Sequence, residues 1–182
     1  MKIEKLEESI ALPTGVTATY GTDYVLHVKG PKGELNRLCF DPKVKLSVKD
    51  GAIGFLSENA TLREKKTLFT FKAHAKNMVK GVHEGYTYRL KVCSGHFPMA
   101  VSAKGTVFEI KNFIGEKVPR TMNLKKGADV KVEGDIVTVT GFDKELVSQV
   151  AADIEQLSRR PGYDTRVFQD GIFIIDKDGK KV

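Results

Sequence analysis

Residues 107–157, VFEIKNFIGEKVPRTMNLKKGADVKVEGDIVTVTGFDKELVSQVAADIEQL, carry in one stretch the signals that decide the fold. Val107 to Ile110 reads as a half-buried strand, and the glycine of NFIGE turns the chain toward a second run, Thr121 to Leu124. Ala128, Val130 and Val132 then alternate, an EGD turn follows, and Ile136 to Val139 completes a hairpin. After that the period changes. Asp143 stands where a helix N-cap belongs, and Leu146, Val150, Ile154 and Leu157, with Val147 and Ala151 beside them, form one apolar stripe at helical spacing. Antiparallel strands closed by tight turns, with a helix whose single apolar face needs a sheet to cover, predict an α+β fold.

The same order of signals occurs about 80 residues earlier, with little residue-by-residue identity. Tyr24, Leu26 and Val28 run into the turn GPKGE and then Leu35 to Phe40; Val44, Leu46 and Val48 follow, then a KDG turn, then Ile53 and Phe55. Gly33–Glu34 aligns with Gly115–Glu116 at an offset of 82, and Gly51 with Ile53 aligns with Gly134 and Ile136 at an offset of 83. Leu68, Phe71, Ala75, Met78 and Val82 stripe a first helix that ends near Gly81, entered through a longer basic lead, SENATLREKK. After each helix comes Gly then Tyr, at Gly85–Tyr86 and Gly162–Tyr163, and a further strand: Tyr86, Tyr88, Leu90 and Val92, and later Val167 with Phe168 before a QDG turn. The expectation is two duplicated modules, each an antiparallel β-sheet covered on one face by an α-helix. The joint is placed at CSGHFP, giving modules 1–92 and 93–182.

Composition limits the function. The chain has 182 residues, 41% of them apolar, and 30 Lys and Arg against 23 Asp and Glu, a net charge of +7. That is globular rather than disordered, and it favours a polyanionic partner. Basicity is concentrated: residues 61–126 carry 14 Lys and Arg against 4 Asp and Glu, while the remaining residues carry 16 against 19. The N-terminal MKIEKLEESIALP is charged where a secretory segment needs an apolar run, and no stretch approaches the roughly 20 apolar residues of a membrane span. A cytoplasmic protein without a membrane partner is expected, with Cys39 and Cys93 as reduced thiols.

Catalytic and metal chemistry find little support. Cys93, Ser94 and His96 offer a nucleophile and a base, but neighbours in a loop need not face one another, and the sequence places no orienting carboxylate beside them. His96 reads better as an RNA-contacting residue. His27, His74, His83 and His96 are scattered, with no thiol or carboxylate at ligand spacing, and GPKGE lacks the spacing of a nucleotide-binding loop. No enzyme activity, no metal and no cofactor are expected. Lys72, Lys76 and Lys80 at i, i+4 spacing read first as a solvated helix flank. Two loops of the second half are better placed: Lys111, Lys117 and Arg120 around NFIGEKVPR, and Arg159, Arg160 and Arg166 around SRRPGYDTR. There Arg supplies forked donors for phosphates, glycine permits close backbone approach, and Tyr163 offers a ring for base or ribose.

Together EGYTYRLKV leading to HFPMAV, NFIGEKVPR, and RVFQDGIFI, set in a duplicated module, make the chain resemble, over nearly its full length, the sixth-protein family of the large ribosomal subunit in its archaeal and eukaryotic form. Bacterial members carry a PYKGKG-like tract after the second helix where this chain has RRPGYDTRVFQDG, so their contacts in that loop do not transfer directly. The resemblance implies a structural, non-enzymatic protein of cytoplasmic ribosomes. Its C-terminal domain would pack on large-subunit ribosomal RNA near the stalk base and the sarcin–ricin loop, where translational GTPases dock. The implied partners are that RNA, neighbouring ribosomal proteins, and translational GTPases near the first module. The implied RNA-facing residues are Lys91, His96 and Lys104 in the joint, Lys111, Lys117 and Arg120 in the turn, and Arg159, Arg160, Tyr163 and Arg166 after the second helix. The alternatives are a stand-alone RNA-binding regulator or ribosome assembly factor, and a small enzyme using Cys93 and His96.

Overall fold

The computed structural model describes residues 3–49, 51–164 and 166–182; Asp50 of the expected KDG turn and Thr165 of the second loop lie outside them. The chain divides into two compact units between Gly85 and Tyr86.

The first unit contains β1 (Ile3–Ala11), β2 (Thr17–Tyr20), β3 (Val25–Gly30), β4 (Gly33–Leu38), β5 (Lys45–Lys49), β6 (Ala52–Ala60) and α1 (Leu62–His83). The strands make two antiparallel sheets, ordered β1-β6-β5 and β2-β3-β4. α1 packs on strands of both. The alternating positions read from the sequence point inward: Leu26, Val28, Ile53, Leu68 and Val82 are fully buried in one core. The stretch read as a basic lead into α1 is structured. Its first four residues finish β6, and TLRE forms a capping box, in which Thr61 accepts from Arg63 N–H at 3.3 Å and the Glu64 carboxylate accepts from Thr61 N–H at 2.9 Å. The helix passes through the buried Gly81 and ends at Glu84.

The second unit contains β7 (Tyr86–Cys93), β8 (Ala100–Lys104), β9 (Val107–Lys111), β10 (Arg120–Asn123), β11 (Ala128–Glu133), β12 (Ile136–Gly141), α2 (Lys144–Leu157), β13 (Gly171–Lys177) and β14 (Lys180–Lys181). One sheet runs β10-β9-β8 and the other β11-β12-β7-β13-β14, again antiparallel. Asp143 caps α2 by accepting from Glu145 N–H at 2.9 Å. The helix covers a core that includes Leu90, Phe108, Ile110, Val139, Ile154 and Ile172, none of which is exposed.

The α+β class of the chain therefore stands, with each unit distributing its strands over two sheets. The strand Tyr86–Cys93 was expected to close the first module. It pairs instead with β12 and β13, and stands in the second unit as β1 stands in the first, so the units divide seven residues before the expected joint. Alternation marks a strand without saying which sheet it joins. The supposed correspondence of Tyr86 with Tyr163 fails for the same reason: Tyr86 is buried in β7, and Tyr163 is 39% exposed in a loop. Val167 and Phe168 are not a strand either. Their N–H groups both donate to the Asp164 carbonyl in a turn, and the strand begins at Gly171. Among the described residues, no helix is long and apolar enough to cross a membrane.

Candidate nucleic-acid interface

In the second unit the turn NFIGEKVPR is held in a costly shape. Asn112 and Ile114 adopt left-handed backbone conformations at φ 56° and 47°, and Gly115 follows at 76°. Asn tolerates this region, but a β-branched residue does not, so tertiary contacts must hold the turn. Phe113 supplies one, buried in the core; Asn112 supplies another, donating from Nδ2 to the Pro98 carbonyl at 2.9 Å. Arg120 supplies the rest. Its guanidinium donates to both Glu116 oxygens at 2.8 and 2.7 Å, to the Leu157 carbonyl at 2.7 Å and to the Arg159 carbonyl at 3.0 Å, while lying 4.3 Å over the Phe113 ring. Four of its five donors are thus used within the protein. Arg120 joins the turn to the end of α2, and it has little capacity left for a phosphate. The Arg120 hydrogen bond, with help from Arg160 at 3.5 Å, holds the Glu116 carboxyl below the usual range despite its partial burial.

The loop after α2 meets the joint through an internal pair that links segments 74 residues apart. Asp170, 9% exposed, accepts from the backbone N–H groups of Gly95 at 2.7 Å and His96 at 3.0 Å, and pairs with His96 Nδ1 at 2.5 Å. Burial alone would raise this carboxyl, but the hydrogen bonds from the His96 backbone, the His96 ring and Gly95 outweigh it and hold it below the ordinary value. An ionised Asp170 fixes the Nδ1–H tautomer and leaves Nε2 at the outer edge of the ring. The structure therefore supplies the orienting carboxylate that the sequence could not place. Cys93 is a half-buried free thiol, and among the described residues no hydrogen bond joins it to His96.

His96 begins a chain of rings. Its ring lies 4.9 Å from Phe168, Phe168 meets Tyr163 edge-on at 4.9 Å, and the Arg160 guanidinium covers Tyr163 at 4.4 Å. Phe168, Tyr163 and Arg160 border a cleft of about 980 Å³ at the end of α2, lined also by Cys93, Ile114 and Phe173. Two N–H groups of β13 are tied to the helix here: Ile172 donates to Ser158 Oγ at 2.9 Å and Ile174 to Glu155 Oε1 at 3.1 Å.

The structure thus brings Arg159, Arg160 and Tyr163 to one cleft, with His96 behind its Phe168 and Asp170, and with Lys117 exposed on the turn that Arg120 anchors to the end of α2. Arg159 is exposed, and among the described residues no ion pair engages its guanidinium. Lys91 lies exposed on β7, directly across from Phe173. Arg166, its side chain 89% exposed, pairs with Asp164 at 2.8 Å, which raises the guanidinium and lowers the carboxyl. Lys111 sits at the end of β9, 3.5 Å from Glu109. Lys104 is not brought in: it lies at the turn between β8 and β9, at the opposite end of the strand from Lys111. Sequence reasoning missed Asp170 and Phe173. The only available signal was the spacing of RVFQDGIFI, which does not show that its aspartate reaches back to the joint. Among the described residues, no group of three or more His, Cys, Asp or Glu could hold a metal ion.

Fold and surface together define a duplicated α+β protein whose second unit carries a cleft lined by aromatic rings and two arginines. The sequence pattern described as ribosomal protein L6 matches residues 12–85 and 97–171. The large ribosomal subunit protein uL6 of Methanospirillum hungatei is 42% identical over 173 residues, covering 94% of this chain and 97% of the relative. That of Methanosarcina mazei is 37% identical over 175 residues, covering 96% and 99%. The chain belongs to the ribosomal protein L6 family, whose members are structural, non-enzymatic components of the ribosome.

Proposed function

We propose that the protein is a structural constituent of the large ribosomal subunit and that its second unit binds large-subunit ribosomal RNA near the stalk base, where translational GTPases dock. The observation that carries this reading is the cleft at the end of α2 with the turn tied to it, where Arg159 and Lys117 stand exposed while Glu116 is paired with Arg120 and Arg160, and Asp170 is held by His96. Such a rim presents positive charge to a phosphate chain, and the rings of Tyr163 and His96 suit sugars and bases. Lys91, Lys111, Arg160 and Arg166 extend the basic surface. Arg120 acts by positioning the turn, and Lys104 stands apart as an outlying contact. Neighbouring ribosomal proteins are the further partners, translational GTPases would lie nearest the first unit, and the location is the cytoplasmic ribosome.

The test is salt-dependent binding of the full chain to protein-free large-subunit RNA. Arg159→Gln and Lys117→Gln should each lower the slope of log affinity against log salt by about 1, since each releases one phosphate contact. A double variant with unchanged affinity and slope would show that RNA does not bind at this surface.

A further inference from the structure

We propose that the cleft at the end of α2 receives one unpaired RNA nucleotide, its base stacked on Phe173 and its phosphate held by Arg159. The inference rests on the RNA-binding reading above and names the part of the RNA that this site takes.

Phe173 is the observation that points there. It sits within β13 yet is 44% exposed, on the wall of a cleft rather than in the core. Its ring position is fixed from below. A Cβ built on Gly171 would come within 3.0 Å of Phe173 Cζ and 3.2 Å of Cε2. Gly171 is not in the left-handed region, so its backbone places no demand for glycine; the room it leaves is taken by the ring. The end of the Phe173 ring therefore occupies the space over Gly171, and much of the residue stays open to the cleft. Two further rings of the lining are held in place, because Tyr163 lies between Arg160 and Phe168, and Phe168 is backed by His96.

Size and charge choose the occupant. A volume of about 980 Å³ lies at the upper end of small-ligand sites and admits a nucleotide. The two carboxylates in the lining already accept hydrogen bonds, Glu155 from the Ile174 N–H and Asp170 from His96 and Gly95, and two arginines, Arg159 and Arg160, stand in the same lining. Arg159 lines it with an exposed guanidinium, and Lys91 continues the positive charge across the sheet from Phe173. A base already paired in a helix cannot enter a pocket of this kind. A base splayed from a loop or bulge can, and it stacks on an aromatic ring whatever its identity.

The chain has no tryptophan, so Phe173→Trp places a single reporter in the cleft. Titrating this full-length variant with protein-free large-subunit RNA should quench the emission saturably, and AMP at the same nucleotide concentration should not. Phe173→Leu, which keeps an apolar side chain and every charge, should weaken RNA binding about tenfold without changing the salt slope. Unquenched emission together with full affinity in Phe173→Leu, while Arg159→Gln still lowers the slope, would overturn the nucleotide site and leave RNA binding by this surface standing. Quenching by AMP without quenching by the RNA would likewise overturn it. No binding of the unaltered chain to the RNA would remove both readings.

Discussion

The two units follow the same course of six strands and a helix, and they part at one edge of one sheet. In the first, β1 is the edge strand, and Glu4, Lys5 and Glu7 stand exposed along it, a charged border that discourages pairing with another chain. In the second, the counterpart strand β7 lies inside a five-stranded sheet, covered by β13 and then β14. The segment that supplies this cover, residues 158–164 and 166–181, also builds most of the cleft, and among the described residues the first unit has no equivalent of it. The shared course is the scaffold, and the candidate site lies where one copy carries strands that the other lacks.

Removing the addition tests that contrast most severely. Deleting residues 171–182 returns the second unit to the strand set of the first, but it also removes Ile172 from the core and uncovers β7. The loss in urea unfolding should be at least the about 2–5 kcal/mol expected for emptying the Ile172 site. A truncated chain of unchanged stability would mean that the added strands are accessory. Arg120→Ala comes next. It should cost about 1–3 kcal/mol, because it frees the half-buried Glu116 and unties the turn from α2, while the RNA salt slope stays that of the parent. A lowered slope at full stability would instead make Arg120 a phosphate contact.

Smaller effects separate the two helix starts. α1 has a reciprocal box at Thr61 and Glu64, whereas α2 has only the Asp143 side chain, so Thr61→Ala should cost about 1 kcal/mol and somewhat more than Asp143→Ala in thermal unfolding. The box also gives the first unit an acid dependence. Hydrogen bonds from the Thr61 side chain, then its backbone N–H, then Lys43 hold the Glu64 carboxyl down to about 2. Because the folded value lies below the ordinary 4.5, the unfolded chain takes up the proton first: this stabilisation is complete above about pH 4.5 and fades as the pH falls toward about 2. Glu64→Gln should flatten that part of the stability profile, measured by thermal unfolding at stepped pH.

Much of this was legible in the sequence, and what escaped has physical causes. Strands with one apolar face, such as Val25–Gly30 and Ala128–Glu133, declared themselves by alternation, and both helices by their stripes. β1 escaped because an edge strand buries little: Ile3, Leu6 and Ile10 are only partly covered among charges. The division between the units escaped because β7 alternates as well for either neighbour. The loops of the candidate site were legible from their Arg, Gly and Tyr content. Their internal wiring was not, since Arg120 differs from Arg159 only by the partners that folding brings to it, and the Asp170–His96 pair is invisible without the third dimension.

That pair has a temporal meaning. The walls of the cleft come from Cys93, from Ile114 and from residues within 155–163 and 168–173, so they close only after β13 has docked beside β7. Contacts that span so much chain are made late, after the local hairpins and the helix have already formed. A partly folded chain would expose its lysines but present no shaped cleft. Its attraction to RNA would then be diffuse, and recognition would arrive as the final act of folding, making the shape of this site a certificate that the second unit is complete.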